Sequence, residues 1–140
     1  MAAWGQYSGK LNETYVPIDN LTEVHNPIIT TDECNKIIHD EGFKHITLTD
    51  LVVCTRSENN MDICRGDWGA PLFLIKNESY MVQVGILSFR PVYYRKCGYV
   101  GNVAAFTRVS KYLGWIHRRM SGCGNHRFHN VTEVFVNPIY

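Results

Sequence analysis

Asp62-Ile63-Cys64-Arg65-Gly66-Asp67-Trp68-Gly69-Ala70-Pro71-Leu72 is the stretch whose reading decides the fold. It changes character partway along. Residues 55–68 are polar and rich in turn formers, with Ser57-Glu58-Asn59-Asn60 ahead of Arg65-Gly66-Asp67. Leu72–Ile75 then reads as a strand, Asn77-Glu78-Ser79 as a turn, and Tyr80–Phe89 as a longer strand rich in Val and Ile. The segment 90–102 holds Pro91, Cys97, Gly98 and Gly101 and reads as a loop, and Val103–Phe106 reads as a last strand. Val109, Tyr112, Leu113, Ile116 and Met120 recur at helical spacing, which predicts a terminal helix over 108–120.

Working back from the same stretch, β-branched and apolar residues between Ile46 and Cys54 place a strand near Leu51–Val53. Thr30-Thr31-Asp32-Glu33 fits a capping box with Thr30 as N-cap, so a short helix should run to His39, with Gly42 just past its end. Leu21–Ile29 reads as a strand stopped at Pro27, because proline cannot serve a central ladder. Residues 5–20 read as loop. Short strands, turn signals and a late helix predict an all-β barrel with peripheral helices.

The 140 residues suit one domain, and 45% hydrophobic content is enough for a core. A net charge of +1 with no Lys/Arg stripe leaves no footprint for nucleic acid, and His117-Arg118-Arg119 reads as a solvated helix end. No apolar run reaches the length of a membrane-spanning helix. Met1-Ala2-Ala3-Trp4-Gly5 lacks the basic start and apolar stretch of a signal peptide. Five cysteines and four Asn-x-Ser/Thr patterns, at Asn12, Asn20, Asn77 and Asn130, nevertheless favour a secreted glycoprotein. Together these features lead to the expectation that residues upstream of Met1 are missing.

The segment from Asp62 to Leu72 resembles the active-serine motif of the trypsin/chymotrypsin family, whose core reads Gly-Asp-Ser-Gly-Gly-Pro. Other segments fall in the family's order. Ala3-Trp4-Gly5 resembles Gly-Trp-Gly. Leu21–Ile28 followed by Cys34 resembles a strand and a cysteine-bearing helix, and Leu51–Cys54 the next cysteine strand. Val84–Phe89 resembles Val-Gly-Ile-Val-Ser-Trp, and Phe106–Val109 through Trp115-Ile116 resembles the family's ending. The resemblance covers residues 3–116. It implies the second six-stranded barrel of the chymotrypsin-like fold plus a C-terminal helix over 1–120, with 121–140 as an irregular tail.

The resemblance also assigns residues. Trp68 stands where the nucleophilic serine belongs, and an indole N–H is only a donor. Backbone donors of Gly66 and Trp68 would form an oxyanion-like pocket. The catalytic histidine and aspartate belong to the family's first barrel, and none of the six histidines sits in a matching context. Asp62 falls at the floor of the specificity pocket, with an exposed turn aspartate as the alternative. Ser88, Phe89, Arg90 and Ala104 fall on its walls, with Arg90 and Ala104 at places where the family has glycine. A side chain as long as Arg90 could fold in and neutralise Asp62. Asp67 matches the aspartate that pairs with the new N-terminus after activation, and would otherwise be an unpaired turn residue.

The family pattern pairs Cys34 with Cys54 and Cys64 with Cys97, each bridge contributing about 3–4 kcal/mol in the chain-entropy estimate. Cys123 is left odd, to be free or paired with another chain. Cys123, His126 and His129, with His117 nearby, can be drawn as a zinc site, but the spacing is unlike finger patterns. No metal and no cofactor are expected. The leading expectation is a catalytically inactive homologue acting by protein binding through an exposed barrel face, as an oligomer or with a missing N-terminal half. The alternatives are a truncated fragment of a serine-type endopeptidase and a purely structural β-domain.

Overall fold

The computed structural model describes residues 1–5, 20–58, 62–64, 66–77, 80–91 and 99–120, with backbone alone at 3, 76, 77 and 80. The expectations for Asn12, Asn130, Cys97, Cys123, His126, His129 and the 121–140 tail lie outside those residues, as does the side chain of Asn77. Within them the strands are β1 (Ala2–Ala3), β2 (Thr22–Glu23), β3 (Ile28–Ile29), β4 (Val52–Arg56), β5 (Pro71–Asn77), β6 (Tyr80–Phe89) and β7 (Val103–Arg108). The helices are α1 (Thr31–Asp40) and α2 (Leu113–Met120), the second preceded by a 3-10 turn over Val109–Tyr112. The result is a mostly antiparallel β domain with a short C-terminal helix. β3-β4-β7-β6-β5 make one sheet, and β1-β2 make a separate ribbon that lies alongside β5.

Local chemistry sets several of these boundaries. The Thr30 hydroxyl accepts from the Glu33 N–H at 3.1 Å and caps α1. Gly42, at φ +97°, takes the left-handed conformation just past the helix end, where a side chain would be strained. The strand expected to stop at Pro27 does not stop there. It is interrupted over residues 24–27 and resumes as β3, where Ile28 and Ile29 pair with Thr55 and Cys54. Pro27 lies in the break, where its missing N–H costs nothing, and its carbonyl accepts from Arg56 N at 3.0 Å.

Strand parity sorts the core into two clusters. Val53, Ala104, Phe106 and Leu87 face an inner cluster with Ile63 and Leu72. Cys54, Val103 and Ala105 face the other way, onto Cys34, Ile38 and Phe43 of the α1 layer. β7 therefore has no solvent face over Val103–Phe106, which explains its continuous apolar reading. A Cβ added at Gly85 would lie 2.8 Å from the Phe106 Cβ, so the bare backbone lets β6 and β7 close over Phe106. The Cys34–Cys54 disulfide ties α1 to β4 across a separation of 20 residues.

Candidate functional site

The turn between residues 62 and 70 is held from below by one carboxylate. Asp67 is buried, and its two oxygens accept from Gly5 N at 2.7 Å and Cys64 N at 2.8 Å. It is therefore not an unpaired turn residue. Its partners are backbone amides, one of them 62 residues away, so the carboxylate anchors the chain's first residues beneath the turn. Gly66 and Gly69 adopt φ of +93° and +83°, which let the chain reverse twice around Trp68. Ala70 N then bonds Asp67 O, and Gly69 N and Ala70 O exchange bonds with Leu87.

On this turn the Trp68 side chain points out. It is 58% exposed, so it packs into no cleft among the described residues. The N–H groups of Gly66 and Trp68 make no hydrogen bond among the described residues, which leaves two donors beside the indole.

Asp62 is not an exposed turn residue. Its side chain is 2% exposed and sits 3.0 Å from Arg90 Nη2, whose own side chain is 5% exposed. Asn102 Nδ2 donates to the same carboxylate oxygen at 2.7 Å, and Ile63 N donates to the other at 2.8 Å. Burial pulls the Arg90 guanidinium below its ordinary value, and the Asp62 charge opposes that shift. The carboxylate at the expected pocket floor is thus occupied by the protein's own guanidinium.

A β-bulge explains how Arg90 arrives there. Leu87 pairs with Phe106, but Phe89 pairs with Ala105, so Ser88 is the extra residue. Without the bulge, Leu87 and Phe89 would share a face. With it, Phe89 turns to the α1 layer, its ring edge-on to Phe43 at 6.2 Å, and Arg90 swings back toward Asp62. Ser88 is exposed on the bulge, and Ala104 is buried in the inner cluster. Phe89 therefore serves the core on the α1 side. Cys64 is disulfide-bonded. Neither Asn102 nor Gly5 was expected as a partner of these carboxylates. A polar residue ahead of a strand and a glycine near the terminus carry no signal of the carboxylates they meet.

The described histidines are engaged elsewhere. His25 lies beside Glu23, His39 bonds the Ile46 carbonyl, His45 faces Phe43, and His117 is on α2. No group of three potential metal ligands occurs among the described residues.

Burial is the main reason the Asp67 carboxyl is pushed above 3.8, and the two backbone N–H bonds only partly offset it. A raised folded-state value means that protonation favours the fold. The contribution is fully present below 3.8 and is lost as pH rises through the folded value. Urea midpoints measured from about pH 3 to about pH 7 should therefore show this falling component in the parent chain and not in Asp67→Asn. Equal pH profiles for the two would overturn it.

The antiparallel sheet, the buried aspartates before and within a double-glycine turn and the terminal helix define a trypsin-like serine protease domain, and the chain belongs to the trypsin family. The family model described as Trypsin matches residues 1–116. The chain is similar to a venom serine protease of Bombus ignitus, 35% identical over 96 residues, which are 68% of this chain and 25% of that protein. It is 34% identical over 118 residues to a phenoloxidase-activating enzyme of Bombyx mori, covering 83% of this chain and 26% of the relative. Vitamin K-dependent protein C of Mus musculus is 26% identical over 122 residues, with 84% and 24% covered. The chain spans about a quarter of the length of these relatives.

Proposed function

We propose that this chain is a catalytically inactive serine-protease homologue that acts by binding protein. The observation that carries the reading is Trp68 at the apex of the Gly66–Gly69 turn, where the family's motif places its serine. Acyl transfer needs an oxygen or sulfur nucleophile and a base within reach. An indole offers neither, and no hydrogen bond or ion pair joins a described histidine to the turn among the described residues. The Arg90–Asp62 pair supports the same reading. A substrate cation would have to displace a buried guanidinium already within hydrogen-bonding distance of the carboxylate.

An extracellular setting fits the Cys34–Cys54 disulfide, since such bonds persist in oxidising compartments. Asn20, exposed ahead of β2, is an accessible glycosylation acceptor.

The test is hydrolysis of an arginyl ester together with labelling by a serine-directed phosphonate. Neither should exceed the buffer background, and Trp68→Ser should restore neither. Turnover by the parent chain, or phosphonate attached near residue 68, would overturn the reading.

A further inference from the structure

The net charge of +1 hides a division of the chain. Between Glu78 and Glu133 the sequence has no Asp or Glu, yet it carries eight of the fourteen Lys and Arg residues. Among the described residues of that stretch, Arg90 is taken up by Asp62. The other cations, Arg108, Lys111, Arg118 and Arg119, follow one another through the end of β7, the 3-10 turn and α2.

Arg108 is tied to the backbone carbonyls of Asp50 and Val52 at 2.8 and 2.7 Å, and Lys111 pairs with the Asp50 carboxylate. These bonds hold the turn against the start of β4. Arg119 and His117 make no ion pair among the described residues. No residue of α2 is buried, and its half-buried residues are Leu113 and Ile116, so its aliphatic side is turned to the protein. The outer side carries Trp115 at 55% exposure, with Tyr112 at 41% just before the helix. Helical spacing sets Trp115 between Lys111 and Arg118, and equally between Tyr112 and Arg119. Arg118 Nη1 reaches back to 3.6 Å from where a Cβ would stand on Gly114, so its guanidinium lies along the helix.

Guanidinium groups are costly to bury without partners, so this side meets water or anions and not apolar surface. Lys111 and Arg118 stand about 10 Å apart by helical rise, a spacing that successive sulfated sugars can match. An acidic peptide would use the cations and leave the exposed rings idle. An anionic membrane would need an outward aliphatic face, and Leu113 and Ile116 are turned the other way. A sugar face can lie on an indole while its sulfates meet the cations.

We infer that the outer side of α2, with Lys111, Arg118 and Arg119 around Trp115, binds a sulfated polysaccharide chain. The oxidising setting that the Cys34–Cys54 bridge fits is one where such chains occur. Neither catalytic inactivity nor protein binding is needed for it.

The probe is a heparin octasaccharide, titrated against the oxidised 140-residue chain by calorimetry at about 0.1 M salt. Saturable binding is expected. Arg118→Ser combined with Arg119→Ser should weaken it about tenfold or more and flatten the slope of log K against log salt by about two. Trp115→Ser should weaken the octasaccharide and leave the weaker binding of an octaglutamate peptide unchanged. All three positions are exposed, so the urea midpoints of these variants should match the parent. No saturation by about 1 mM octasaccharide, equal binding of its fully desulfated form, or an unweakened double variant would overturn the inference. Octaglutamate, a single-stranded DNA octamer or phosphatidylserine vesicles bound as tightly as the octasaccharide would overturn it in favour of that other anion. Phosphonate labelling bears on inactivity alone, so failure of either reading is distinguishable from failure of the other.

Discussion

Asp62→Ala should destabilise the fold by about 3–5 kcal/mol, the usual cost of breaking a buried ion pair from one side. The carboxylate receives Arg90, Asn102 and Ile63 at once, at 3.0, 2.7 and 2.8 Å. Removing it takes the hydrogen-bonded carboxylate from a nearly inaccessible guanidinium and withdraws the acceptor from two further donors. The reverse truncation should be milder. Arg90→Met removes the cation but leaves Asp62 with two neutral donors, and the long apolar chain keeps most of the volume. Urea unfolding of both variants checks the order. An Arg90→Met variant as unstable as Asp62→Ala would show that the pair is not organised around the carboxylate.

Phe106→Ala should cost about 3–5 kcal/mol, the range for a large aromatic removed from a core. Phe106 is fully buried and lies between β6 and the inner cluster. Gly85 faces it with no side chain, so that position of β6 offers nothing to fill the space. A thermal or urea midpoint that barely moves would mean that the barrel collapses around the cavity. Gly85→Ala in the Phe106→Ala background supplies a cross-check. The added methyl group should remain harmful there, because the residue-106 Cβ it would crowd at 2.8 Å is one that alanine keeps.

The sequence made the fold legible wherever local chemistry and tertiary packing agree. Thr30 and Glu33 mark the start of α1, and Tyr80 and Phe89 bound β6 as read, because capping and β-branched runs act over a few residues. The break at Pro27 was misread as an end. Nothing local shows that β4 lies ready to pair with Ile28 and Ile29 beyond it. The Arg90–Asp62 pair was within reach only because both residues fell on a family pattern, since 28 positions separate them. Asn102 at Asp62 and Gly5 at Asp67 were out of reach, being contacts across 40 and 62 positions made by residues with no periodic signal. The outward indole of Trp68 could not be read from residue type, because size predicts burial and the double-glycine turn dictates otherwise.

Parity on β7 ties two parts of the molecule to one reading frame. Ala104 and Phe106 look inward, Val103 and Ala105 look toward α1, and Asn102 stands one step ahead with its amide on Asp62. Inserting or deleting one residue before Val103 would exchange the two faces along the whole strand. Small alanines would meet the space shaped for Phe106, and Phe106 would be driven against the Cys34–Cys54 bridge. Asp62 would lose its amide partner in the same event. Length changes between Gly101 and Phe106 are therefore not tolerated one residue at a time, and the segment that sets the core also fixes the spacing of the site.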